Sequence, residues 1–143
     1  MCNFNFACHF VKVEDGTEII KCRDIPELLS WPADGETKED WARYAVQDCI
    51  SFMMKDGIKV PYATPAKKGE FVVELTPTEE AKILLHNEMV DANIGRSSLA
   101  EKTGFSLSEI TRLLNLKHRT KIDTLEQALK SLGKRFNLTV QSL

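Results

Sequence analysis

The chain opens on an alternation of apolar and polar positions, FNFACHFVKV, with Phe4 and Phe6 in step and Phe10 and Val11 ahead. A period of two puts one set of side chains on a buried sheet face, so a strand is predicted. EDGT carries the residue types of a tight hairpin turn, EIIKCR returns as a second strand, and ELLSW reads as a short third. After PADGE, Thr37 is placed to cap a helix over KEDWARYAVQDCISFMMKDG, with Glu39 and Asp40 in its first turn and Gly57 just past its end. On that helix Trp41, Ala45, Asp48 or Cys49, and Phe52 fall near one face, the expected core stripe. KVPYATPAKKGE then reads as a loop and FVVEL as a last strand. The front of the chain is predicted to be a small ββ(β)αβ layer, one helix packed on a sheet.

From Thr76 onward the period becomes helical. Thr76 is an N-cap, Pro77 a first helical residue and Glu79 the partner of a capping box. The run EEAKILLHNEMVDANIG follows, stopped by Gly95. Ser97 or Ser98 is expected to cap a second short helix, and Ser106, with Glu109 three residues on, a third. KIDTLEQALKSLG forms a fourth helix and FNLTV reads as a terminal strand. The expected fold is α+β, with a boundary that separates residues 1–75 from residues 76–143.

Charge changes this picture. The 143 residues carry a net charge of -2, but the sign is divided along the chain. Residues 1–75 hold nine basic and thirteen acidic side chains, whereas residues 96–143 hold nine basic and four acidic ones. The acidic total therefore does not exclude a polyanionic partner for the second half. No apolar run approaches the ~18 residues of a membrane span, and MCNFNFACHF lacks the basic start of a secretion signal, so a cytoplasmic location is expected. Cys2, Cys8, Cys22 and Cys49 contain no C-x-x-C pair and read as free thiols. A metal site from Cys2, Cys8, His9 and Cys22 would need an unusual strand geometry, and no cofactor is expected.

The segment SSLAEKTGFSLSEITRLLNLKHRTKID has the parts of a helix-turn-helix. Ala100 is small where two helices would touch, and Gly104 suits a turn that needs positive φ. Leu99, Leu107, Ile110 and Leu113 supply the inner side. The outward positions of the second of these helices are Ser106, Ser108, Glu109, Thr111, Arg112 and Asn115, and Arg112 could donate to a guanine through two N–H groups. Lys117, His118, Arg119 and Lys121 follow, placed to neutralise phosphates. Glu109 could accept from a cytosine amino group or brace Arg112 at i+3. The plainer alternative is a solvated basic loop in a helical bundle. One short helix reads few base pairs, so a dimer is expected, with ALKSLGKRF and FNLTVQSL apolar enough to join copies.

Catalysis finds little support. Asp24, Asp48 and Asp56 are the candidate metal-binding carboxylates, but Asp48 and Asp56 project about 80° and two turns apart on a helix. His9, His86 and His118 are scattered, without a nucleophile partner. Trp31, Trp41, Tyr44 and Phe52 could line a small-ligand pocket, which would make the chain a one-component repressor that senses an effector. In a layer this small they serve equally as core.

Taken together, DIPELLSW, GETKEDWARYA and VPYATP resemble the N-terminal domain of HicB-type antitoxins. The matching positions are Asp24 and Pro26, then Gly35, Glu36 and Thr37, then Pro61 and Pro65. SEITRLLNLKHRTKID and ALKSLGK resemble the Xre/Cro-like helix-turn-helix branch of the same family. Trp31 departs from it, standing where smaller polar residues are common. The resemblance implies a partial RNase H-like front domain that covers a small basic RNA-cleaving HicA-like toxin, with Asp24, Pro26, Glu27 and Trp31 facing it. It also implies a dimeric C-terminal domain that binds double-stranded operator DNA and represses its own operon, with no enzymatic activity of its own.

Overall fold

The computed structural model describes residues 3–31 and 35–143, so Cys2 and the PAD part of the PADGE segment lie outside the described residues. The elements in order are β1 (Phe6–Lys12), β2 (Glu18–Cys22), α1 (Lys38–Lys55), β3 (Phe71–Val73), α2 (Pro77–Asp91), α3 (Arg96–Thr103), α4 (Leu107–Leu113) and α5 (Ile122–Lys130). They fall into two compact units, a front unit, Met1–Thr76, and a back unit, Pro77–Leu143.

In the front unit the three strands form an antiparallel sheet in the order β2-β1-β3. The EDGT turn closes because Asp15 accepts from the Thr17 N–H at 2.8 Å and Val13 pairs with Thr17 at 2.9 Å. The third strand expected at ELLSW does not form. Leu28 N–H turns back to the Ile25 carbonyl, and only Ser30 reaches β2, through one bridge to Ile20. Thr37 caps α1 by accepting from Asp40 N–H at 3.1 Å, and Gly57, at φ +70°, ends it in the left-handed conformation.

The buried face of α1 is Trp41, Ala42, Val46, Ile50, Met53 and Met54. The stripe expected from Trp41, Ala45, Cys49 and Phe52 is therefore rotated by one position: Phe52 is 67% exposed and Asp48 faces solvent. Both sets satisfy helical spacing, and the flexible Met53 and Met54 fill the sheet side in place of the rigid Phe52 ring. Trp41 nevertheless stays inside, against Phe10 at 5.2 Å, and Phe10 stacks on Phe71 at 4.9 Å.

All the regular elements of the back unit are helices, and residues 131–143 follow α5 without one. α2 ends with Asn93 at φ +55°, where Ile94 N–H reaches Met89 O at 2.9 Å and Asn93 N–H reaches Val90 O at 3.1 Å. The next helix is capped by Gly95, without a side-chain bond, and not by Ser97 or Ser98, which lie in its first turn. Gly104, at φ +79°, then turns the chain. Ser106 and Glu109 form the full capping box at the start of α4. Ser106→Ala is expected to destabilise the back unit by about 1 kcal/mol, read as a shifted denaturant midpoint. Leu99, Ile110 and Leu113 are buried as expected, but Leu107 is 56% exposed. FNLTV forms no strand, since the back unit contains no sheet to pair with; Leu138 and Val140 stand in solvent.

Candidate functional site

The motif residues of the front unit are tied chiefly to one another. Arg23 donates to both oxygens of Glu70, at 3.2 and 2.9 Å, to Pro65 O at 2.8 Å, and to the Thr64 hydroxyl. Asp24 accepts from the Thr64 N–H at 2.8 Å and from its hydroxyl at 2.9 Å. Asp24, expected to face a partner, thus fastens the 58–69 loop to the end of β2. Proline spacing in that loop has the same use, because an X-Pro stretch stays extended and presents its carbonyls and hydroxyl at fixed reach.

The Arg23 guanidinium, and then the Lys67 N–H, hold the Glu70 carboxyl down at about 2, below its ordinary 4.5. Between those values the unfolded chain binds more protons than the folded one, so this contribution is complete above pH 4.5 and is lost as pH falls toward 2. Arg23→Leu should flatten the slope of front-unit stability against pH in that window, as read by urea melts at a series of pH values.

Pro26, Glu27 and Trp31, the other three front positions implied by resemblance, are all exposed, Trp31 at 58%. The segment that carries them is anchored at Ser30, whose hydroxyl accepts from the Trp41 indole N–H at 3.0 Å. Beneath it Cys8 and Cys22 face each other across β1 and β2. The Cys8 thiol bond and the backbone N–H groups of Ile25 and Asp24 favour the Cys22 thiolate and lower it to about 7; Cys8 is raised by the same pairing and by burial. Among the described residues no group of three His, Cys, Asp or Glu side chains is placed to hold a metal.

In the back unit, α3, the Gly104 turn and α4 bring together the outward positions read from the sequence, and all of them are exposed. Four are also used internally. Ser106 and Glu109 cap α4, Thr111 donates to Leu107 O at 3.0 Å, and Asn115 accepts from the Lys117 N–H at 3.0 Å. The capping box holds the Glu109 carboxylate 3.2 Å from the Ser106 hydroxyl. Ser108, Arg112, Lys117, Arg119 and Lys121 project outward, giving one seryl hydroxyl and four cations on a single short stretch.

Sequence reasoning missed the residue that holds this stretch in place. Lys82, on α2, is fully buried, and its ammonium donates to the carbonyls of Arg112 at 2.9 Å, Asn115 at 2.7 Å and His118 at 2.7 Å. One side chain thus ties together the end of α4 and the loop after it, where the carbonyls carry negative dipole charge; Arg112 O and Asn115 O also accept the backbone N–H groups of Asn115 and His118. Burial lowers the Lys82 ammonium to about 8. The available signal was periodicity: Lys82 shares a helical face with Glu79, Ile83 and His86, all buried.

A family described as the HicB-like antitoxins of bacterial toxin–antitoxin systems matches residues 5–84. The chain belongs to this family of antitoxins. It is 35% identical to antitoxin HicB 2 of Photorhabdus laumondii over 139 residues, which cover 95% of this chain and 96% of that one. It is 31% identical to antitoxin HicB of Escherichia coli K12 over 126 residues, 88% and 91% of the two chains. With antitoxin HicB of Pseudomonas fluorescens it shares 29% identity over 143 residues, 97% and 95% of the two. Among the described residues no helix is long and apolar enough to cross a membrane.

Proposed function

We propose that the chain neutralises a HicA-like RNA-cleaving toxin with its front unit and represses its own operon with its back unit, as a dimer on operator DNA. On this reading the front unit is the partial RNase H-like layer of the family and α3–turn–α4 is a helix-turn-helix. The observation that carries the DNA half is the cluster of Arg112, Lys117, Arg119 and Lys121 on and after a capped helix whose end is pinned by Lys82. Ser108 and Arg112 meet base edges in the major groove, and the three later cations meet phosphates. The toxin half rests on family membership and on the acidic balance of residues 1–75, which suits a basic partner and speeds its association.

Two measurements test the reading. The full-length chain, used as bait in its native cell, should recover a small basic protein whose RNA cleavage it suppresses. On the operator, Arg112→Ala should cost about 1–3 kcal/mol of specific affinity, with non-specific binding little changed. Equal losses on operator and random DNA would remove Arg112 from base readout.

A further inference from the structure

Four residues of α1 spaced one turn apart, Asp40, Tyr44, Asp48 and Phe52, are all exposed. They form a stripe along the helix in which carboxylate and ring alternate. Its C-terminal half, Asp48 and Phe52, lines a cleft of about 260 Å³ together with Glu27, Leu28 and Leu29, while Asp40 and Tyr44 lie on the helix before it. Past Phe52 a second depression of about 310 Å³ continues toward Ser51 and Lys55. Leu29 is 50% exposed, Tyr44 49% and Phe52 67%. A unit this small needs most of its large side chains inside, and an exposed apolar strip rimmed by charge marks a contact surface. Ser30, in the cleft lining, is fixed twice, its hydroxyl by the Trp41 indole N–H at 3.0 Å and its carbonyl by the Ile20 N–H at 3.3 Å.

We infer that this cleft, with the exposed Tyr44 ring one turn before it on α1, is the docking site for a basic protein surface, taking an arginine side chain beside Asp48 and Phe52 and an adjoining apolar side chain against Leu29. A guanidinium can lie flat over an aromatic ring while its N–H fork reaches a carboxylate one turn away, which the four-residue spacing provides. Nucleic acid does not fit a face whose charged groups are mainly Glu27, Asp40 and Asp48. A second copy docking through the same stripe would bring carboxylates against carboxylates across a two-fold axis. The inference rests on the toxin-binding reading above and supplies the contact face, which lies on α1 as well as on the 24–31 stretch.

The test uses the full chain and the toxin that it recovers from its native cell. Phe52→Ser and Tyr44→Ser should each raise the Kd for that toxin by about 30-fold, the loss typical of a central aromatic anchor. Asp48→Arg should slow association by about 10-fold and weaken its salt dependence. Tyr44 and Phe52 are exposed, so thermal melts of Tyr44→Ser and Phe52→Ser should match the unsubstituted chain. If the unsubstituted chain binds the toxin and the three variants bind it equally well, the cleft is overturned and the toxin reading stands. If the unsubstituted chain binds no toxin, both fall. Loss of self-association in Phe52→Ser, with toxin affinity kept, would give the cleft to a second copy and also overturn the inference.

Discussion

Lys82→Ala is expected to destabilise the back unit by about 3 kcal/mol and to weaken operator binding by more than the stability loss alone explains. The alanine removes the wholly buried stem beyond Cβ and takes the ammonium donor from three carbonyls, two of which, Arg112 O and Asn115 O, keep a backbone N–H. Lys82→Met keeps most of the stem and isolates the carbonyl term, so it should cost less, about 1–2 kcal/mol. Urea melts of both variants measure the pair. The lysine also sets a pH dependence of definite sign. With a folded value of about 8 against 10.5 in the unfolded chain, the unfolded state holds more protons between the two. Its contribution to stability therefore rises with pH across that window, and Lys82→Met should remove the rise.

The second large effect concerns the loop that Lys82 secures. Replacing Lys117, Arg119 and Lys121 together by alanine should lower the slope of log affinity against log salt by about 2.7, at ~0.9 for each phosphate contact. Near physiological salt the same three contacts are worth about 100-fold in affinity, lost on operator and random DNA alike. A titration series at four or five salt concentrations reads both. An unchanged slope would return the loop to the solvated surface of a helical bundle. All three residues are exposed, and a urea melt of the triple variant separates lost phosphate contacts from lost stability.

Local signals were the legible part of this chain. Thr37, the EDGT turn, Gly57, and the Ser106–Glu109 box were readable because each is decided within four residues. Where two frames of one helix were equally periodic, as at 41-45-49-52 against 42-46-50-53, spacing could not choose; the sheet did, through contacts made far along the chain. Long-range polar pairs were out of reach for the same reason. Nothing near Lys82 announces that three carbonyls some thirty residues away converge on it, and nothing near Arg23 announces Glu70, 47 residues on. FNLTV shows the converse, an alternation with strand character and no edge to join in its own unit.

The Arg23–Asp24–Thr64–Glu70 fastening has a consequence for how such a protein can change. The side chains of this fastening and the exposed ones beside the cleft, Leu29, Tyr44 and Phe52, are two separate sets that share no residue. Substitution at Leu29, Tyr44 or Phe52 leaves every bond of the fastening in place. Drift on the outer set is therefore not filtered by loss of folding, and a duplicated copy could be retuned to a different partner in single steps, each through a folded intermediate.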